Sequence, residues 1–600
     1  MQLKGLLAVI HGADMVMIPY RITSLSENDF YLCPVLIKTN LIMKTTRMKI
    51  FGKAGIIALL IIVFSAGFVS FNEDRDFKLL KNLDIYYSLF RELNVFYVDD
   101  IEPEKLIEIS IDNMLQSLDP YTVYIPESEI NDFNFATTGK YGGIGSLIRK
   151  NGDFAIISEI YKDSPSDRAG LKAGDIIQEI DGKSIMGLPL DKVSERLKGH
   201  PNTEVKIIVS RFGLDEPLTM ILTRKKIHIN SVPYWGMLNK NTGYIRLSNF
   251  TQDCSKEVKK ALTHLEKTET MNSLILDLRG NSGGLLIEAV NITNFFVEKG
   301  QEIVSTKGKI KQFYKTYTAT NTPVDLHIPL VVIVNRESAS ASEIVAGALQ
   351  DIDRAVIIGT RTYGKGLVQT TRPLSYNSRL KLTTAKYYIP SGRCIQALDY
   401  THRNDDGSVG YIPDSLISEF KTKNGRVVYD GGGISPDIEI SLDKPSQLTI
   451  ELFVNFMVFD FATRYSLTHD SILPPNEFVL TDEIYRDFIM FVKEQNFNYK
   501  THTEQALRTL KETAKKEKYY KLSEDEFTAL EEKLSHDLEQ DMNIFNVEIR
   551  SLLKESIVNR YFYRAGRIQT SLDYDKQIKR ACELFEDKNI YTAILNPSDQ

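Results

Sequence analysis

Cysteine is scarce, with Cys33, Cys254, Cys394 and Cys582 the only four in 600 residues and no CxxC pair among them. That spacing argues against a dense disulfide framework and against a thiolate zinc site, and the thiols read as buried or inert. A basic excess is also missing: 73 Lys and Arg face 79 Asp and Glu, for a formal net charge of −6. With nothing spare to neutralise phosphates, the chain does not read as a general nucleic-acid binder. Low-complexity tracts and long runs of one charge sign are absent. Histidine is sparse as well. The nine are scattered (His11, His200, His228, His264, His327, His402, His469, His502, His536), and none stands in a recognisable triad motif.

What is present is an ordinary folded composition, 42% hydrophobic and 25% charged. Its length points to about four domains at ~150 residues each. Near the N-terminus the apolar run GIIALLIIVF at 55–64 follows Lys44, Arg47, Lys49 and Lys53. A basic stretch before an apolar one is the pattern of an export signal with its positive side left in the cytoplasm. The run is shorter than the ~20 residues of a usual membrane span, so 48–71 reads as a signal peptide or a short anchor. Residues 1–47 fit no secretory pattern, and Met48 offers an alternative start that would make them a gene-model extension.

From 72 to 135 apolar residues recur at helical spacing, until the two prolines of LDPYTVYIPESE interrupt them. Between 136 and 226 short β-branched runs alternate with turn residues, around one helical stretch, LDKVSERLKG. Residues 227–445 alternate apolar strands with helices: SLILDLRG, then GLLIEAVNITNFFV, then PLVVIVN, then SASEIVAGALQDI, then AVIIG, with KLTTAKYYIPSG as one more strand. That order argues an α/β layer with a partly parallel sheet. Residues 446–600 are helical and charged, carry no chemistry-bearing cluster, and read as a packing or oligomerisation domain.

Two short stretches carry the candidate chemistry. NRESASASEIVA at 335–346 runs from a strand into a helix and holds Ser338, Ser340 and Ser342. A serine at a helix N-terminus lies beside unpaired backbone N–H groups able to stabilise an oxyanion, but it needs a base. Lys365, in TRTYGKG at 360–366, follows an apolar strand between Gly364 and Gly366, and Gln369 lies four residues on. Lysine serves as a base only when burial lowers its pKa from ~10.4. From residue types alone, a capping serine and a solvated turn lysine explain both stretches equally well. A distant histidine such as His327 stays open as the base.

The two motifs, with Lys365 standing 25 residues after Ser340, strongly resemble the active-site segments of the carboxyl-terminal processing (tail-specific) proteases. The resemblance covers roughly 75–445. It implies Ser340 as nucleophile, Lys365 as general base and Gln369 as its assistant, with no metal or cofactor. Ser338 and Ser342 are then structural. LILDLRGNSGGLL at 274–286 resembles the family's glycine loop, which implies an oxyanion hole from the Gly283 and Ala341 amides, with Gly284 an acceptable neighbour. YGGIGSLI and SPSDRAGLKAGD resemble a PDZ domain, with Gly142, Gly143, Ile144 and Gly145 turned to a peptide carboxylate and Val193 and Leu197 on the walling helix. The implied fold is an α/β (α+β multidomain) protein: a crotonase/ClpP-like core at 227–445, a β-rich PDZ insert at 136–226, and helical regions at 72–135 and 446–600. The implied function is an exported serine endopeptidase acting on proteins with nonpolar C-termini, with an activating adaptor and a homodimer as further expected partners. The rival is an inactive PDZ scaffold that binds protein C-termini.

Overall fold

The structure is a computed structural model, and it describes residues 4–11, 14–21, 54–268, 270–534 and 537–597. It divides into two compact units, 1–103 and 104–600. In the first, Lys4–His11 and Asp14–Arg21 form an antiparallel pair, and Ala54–Phe96 is one long helix. Of the segment 48–71, read as an export signal, residues 48–53 lie outside the described residues and 54–71 lie in this helix. Among the described residues no helix is long and apolar enough to cross a membrane.

The second unit is built on a six-stranded sheet. Its order is Tyr234–Met237, Thr242–Arg246, Ser273–Asp277, Leu330–Val334, Val356–Gly359, Ile438–Glu439, parallel throughout except for the first pair. The central strand Leu330–Val334 is wholly buried, which is why it reads as one continuous apolar run instead of an alternating one. One face packs Leu274, Leu276, Val332 and Val334 against apolar residues of three helices: Cys254–Thr268, Leu286–Thr293 and Ala341–Asp351. The other packs Ile275, Val331, Ile333 and Ile358 against Ile578, Ala581 and Leu584 of the C-terminal helix Lys576–Glu586.

The run KLTTAKYYIPSG does not extend the parallel sheet. Arg379–Tyr388 belongs to a second sheet ordered Lys315–Thr318, Glu302–Gly308, Arg379–Tyr388, Leu367–Pro373. The short strand Val123–Ile125, from the proline-broken stretch, pairs with the same Arg379–Tyr388 strand. Leu367–Pro373 and Arg379–Tyr388 are half-buried or exposed over most of their length, unlike the buried parallel strands.

The strand-rich insert is entered and left by paired strands, Lys140–Gly143 against Lys225–His228. Between them lies a sheet ordered Leu218–Thr223, Glu204–Ser210, Ile176–Ile180, Phe154–Ile160, Ser146–Asn151. Helix Leu190–Leu197 packs on its Ser146–Asn151 strand. Beyond 446 the chain forms a second helical core around Phe461, Phe488 and Ile557. This region is tied to the rest at several points. Tyr563, the non-helical kink residue of Asn546–Ser571, donates its hydroxyl to Asp167 of the insert at 2.8 Å. Arg279, two residues past the Ser273–Asp277 strand, donates to Asp575 at 2.6 Å and to Gln577 at 2.9 Å.

Candidate active site

Ser338, Ser340 and Ser342 are no longer equivalent once folded. Ser338 donates its hydroxyl to the Leu278 carbonyl and Ser342 donates to the Asn281 carbonyl, at 2.9 and 2.8 Å, and both are fully buried. Ser340 alone of the three lines a cleft of about 1170 Å³. It precedes the first residue of helix Ala341–Asp351 with φ +55° and ψ −110°, a conformation that costs a non-glycine residue about 1–3 kcal/mol. The following Ala341 N–H is the first of the helix and has no intrahelical acceptor, so the helix end offers it to an anion beside Ser340.

Lys365 and Gln369 line the same cleft, as do Gly283 and Gly284. Gly364 adopts φ +87°, and a Cβ there would come within 2.4 Å of Ala397 Cβ, so the turn closes only with glycine. Burial, then the charge of Lys381, lower the Lys365 pKa to about 8. Its Nζ lies 4.0 Å from the centre of the Tyr121 ring. The Tyr121 hydroxyl lies 3.4 Å from those of Tyr363 and Tyr400. No histidine lines the cleft, and His327 is exposed.

The two motifs meet on Glu343. One carboxylate oxygen accepts the Ser340 N–H at 2.8 Å and the Lys365 N–H at 2.9 Å. The other accepts the Thr362 hydroxyl at 2.6 Å and the Gly364 N–H at 2.7 Å. Burial raises this carboxyl to about 7 against the opposing pull of its four hydrogen bonds. All four partners are donors, the pattern of a carboxylate.

Two residues stand differently from their assigned roles. The Gly283 N–H, expected to face an oxyanion, donates instead to the Asn281 side chain at 2.9 Å. Its loop still touches Ser340: at φ +99°, a Cβ on Gly283 would come within 2.9 Å of both Ser340 Cβ and the Ala341 nitrogen. The Gln369 amide, expected to orient Lys365, donates to Thr383 Oγ1 at 3.1 Å, because a register shift between Val368 and Gln369 turns it along the strand pair.

In the insert, Gly142 packs against the Gly199 carbonyl, which a Cβ would approach to 2.1 Å, and Gly143 packs on the Tyr141 ring. The Ile144 carbonyl is taken by Ser166, and the Gly145 carbonyl by Tyr161 and Ser164. Ile144, Val193 and Leu197 are core residues with at most 5% exposure, so the helix turns Val193 and Leu197 inward. Half-buried Leu190 and Ile148, at the edge of that core, come from the helix and from the strand it packs on. Three positions before the assigned pair lie Leu190 and Ser194, the i, i+4 pair next to the inward one.

Three family models match: peptidase family S41 over residues 241–402, a PDZ domain over 156–211, and "Probable PDZ-protease, C-terminal helical domain" over 448–585. The carboxy-terminal-processing protease of Bartonella bacilliformis is 38% identical over 360 residues, spanning 59% of this chain and 81% of that protein. A "Probable CtpA-like serine protease" of Staphylococcus aureus is 38% identical over 317 residues, 52% of this chain and 62% of that one. A solved photosystem II D1 C-terminal processing protease shares 28% identity at a TM-score of 0.31, covering 59% of this chain and 92% of that one. The chain belongs to the carboxy-terminal-processing proteases of peptidase family S41, serine peptidases that here carry a PDZ domain. The helical region after 446, which the sequence left as a packing domain, is one found with PDZ-proteases.

Proposed function

We propose that the protein is an exported endopeptidase that captures nonpolar C-terminal tails through its PDZ domain and cleaves them with a Ser340–Lys365 dyad. One observation carries the catalytic part: the two motifs, distant in sequence, line one cleft and share the Glu343 carboxylate as anchor. Ser340 attacks the scissile carbonyl while neutral Lys365 accepts its proton. The Ala341 N–H and the glycine loop receive the oxyanion, the Gly283 N–H after leaving Asn281 or the Gly284 N–H in its place. Lys365 then returns the proton to the leaving amine, and water enters by the same route to free the acyl-enzyme. Tail capture would use strand pairing along Ser146–Asn151 beside helix Leu190–Leu197. Export is supported by the apolar run at 55–64 behind its basic residues, and an adaptor or second copy by the helical regions outside the core.

The test is digestion of an unfolded protein with an apolar C-terminus by wild type and Ser340→Ala. Wild type is expected to cut it and the variant to lose all measurable turnover. Equal behaviour of the two would turn the reading toward the scaffold. The pH profile is a second check. Lys365 works only when neutral, so with its pKa near 8 kcat/KM should rise about tenfold per pH unit below pH 8 and level off above it. A flat profile from pH 6 to 9 would speak against a lysine base.

A further inference from the structure

Besides Lys365 the cleft holds a second lysine that the chemistry above does not use. Lys381 sits on strand Arg379–Tyr388, opposite Thr371 on one side and Val123 on the other. Alternate residues of a strand share a face. Arg379, Lys381 and Thr383 therefore point the same way, and that way is toward the cleft. Thr383 accepts the amide of the cleft residue Gln369, and the Arg379 guanidinium lies 5.5 Å from the ring centre of the cleft residue Phe133.

Among the described residues neither Arg379 nor Lys381 forms an ion pair. The anionic groups nearest the base are already saturated. Asp119 accepts the Tyr121 and Thr122 N–H groups and the Thr122 hydroxyl, and Glu343 holds its four donors. Half-buried Lys381 therefore stands desolvated without a counter-charge, and burial alone lowers its pKa. Leaving a cation partly dehydrated and unpaired is unfavourable unless something arrives to pair with it. At the rim, exposed Arg336 and Glu337 offset one another, so the inner wall stays net positive.

We propose that Lys381, with Arg379 outside it, is the subsite for a carboxylate of the bound substrate. This rests on the cleft being the active site. The carboxylate has two sources, an Asp or Glu side chain near the cut and the free C-terminal carboxylate of a short tail. Lys381 is then a specificity determinant and takes no part in bond breaking. Pairing with a carboxylate would also cancel its repulsion of Lys365, so an acidic substrate is turned over with its acid limb displaced to higher pH than its neutral isostere. The charged groups that bear on Lys365 in this comparison are Lys381, Asp119 and Glu343.

The experiment uses the full chain and two peptide arms. One pairs Glu with Gln, placed in turn at positions flanking the cut. The other pairs a free with an amidated C-terminus. Wild type is expected to favour the carboxylate member of one arm by about tenfold in kcat/KM. Assayed well above pH 8, where Lys365 is neutral in either protein, Lys381→Met should bring that arm within about twofold by losing rate on the carboxylate member, and Lys381→Arg should keep the preference. Tail capture by the PDZ domain would leave an acid-over-amide preference intact in Lys381→Met, which separates the two sites. No preference in wild type, an unchanged ratio in Lys381→Met, or equal loss on both members overturns the proposal. Activity surviving in Ser340→Ala would instead overturn the reading of the cleft itself.

Discussion

Lys365→Ala is expected to lower kcat/KM by about three orders of magnitude with the fold intact, because positioned general-base catalysis contributes 10²–10⁴-fold. The side chain lines the cleft and makes no ion pair among the described residues, so its loss leaves no buried charge behind. The turn that holds it depends on its own backbone N–H, on Gly364 and on Thr362, and the substitution touches none of them. Lys365→Arg separates charge from base function. Arginine keeps the positive charge but does not deprotonate, and it should be as inactive as alanine. Assays belong above pH 8, where wild-type Lys365 is neutral. Activity of Lys365→Ala within tenfold of wild type would remove lysine from the mechanism.

Glu343→Ala is expected to be the most damaging single change to the site. It strands four buried donors, each worth about 1–3 kcal/mol when left unsatisfied, and uncouples the Ser340 turn from the lysine turn. Loss of several kcal/mol in denaturant unfolding and of all activity should follow. Glu343→Gln is the informative partner. With its NH₂ on the Thr362 side, the threonine hydroxyl can rotate to accept, and the Gly364 N–H and the hydroxyl proton lose this acceptor while the Ser340 and Lys365 N–H groups keep theirs. That variant should fold with a loss of about 1–3 kcal/mol and show a reduced kcat. Glu343 raises the Lys365 pKa by its charge, so its neutralisation should move the acid limb to lower pH. A Glu343→Ala protein with wild-type stability and turnover would refute this account of the site.

Much of this was legible in the chain because it is local. Parallel strands buried on both faces must be apolar throughout, and PLVVIVN shows it. The serine helix and the GKG turn each follow such a strand, where helix ends and glycine turns are read from a few residues. Local reading failed where the outcome depended on which strand pairs with which. The strand of Lys381 reads like its neighbours in KLTTAKYYIPSG, yet it joins a different sheet and faces the cleft. Tyr121 comes to Lys365 from the stretch before the insert, and no periodicity connects the two. Val193 and Leu197 have the right helical spacing for a groove, but that spacing fits either of two adjacent faces. The core took that one.

The sequence by itself determined the family and, through that resemblance, singled out Ser340 and Lys365 as candidates, since motif types and spacing survive without coordinates. Which serine faces the cleft, what holds the two motifs together and how the lysine comes to be depressed were decided only by the tertiary structure. Each depends on burial and on partners brought from distant segments: Leu278 and Asn281 for the serines, Glu343 for the junction, Lys381 for the lysine. A hydrogen bond or a desolvation is a property of neighbours in space, and folding chooses them.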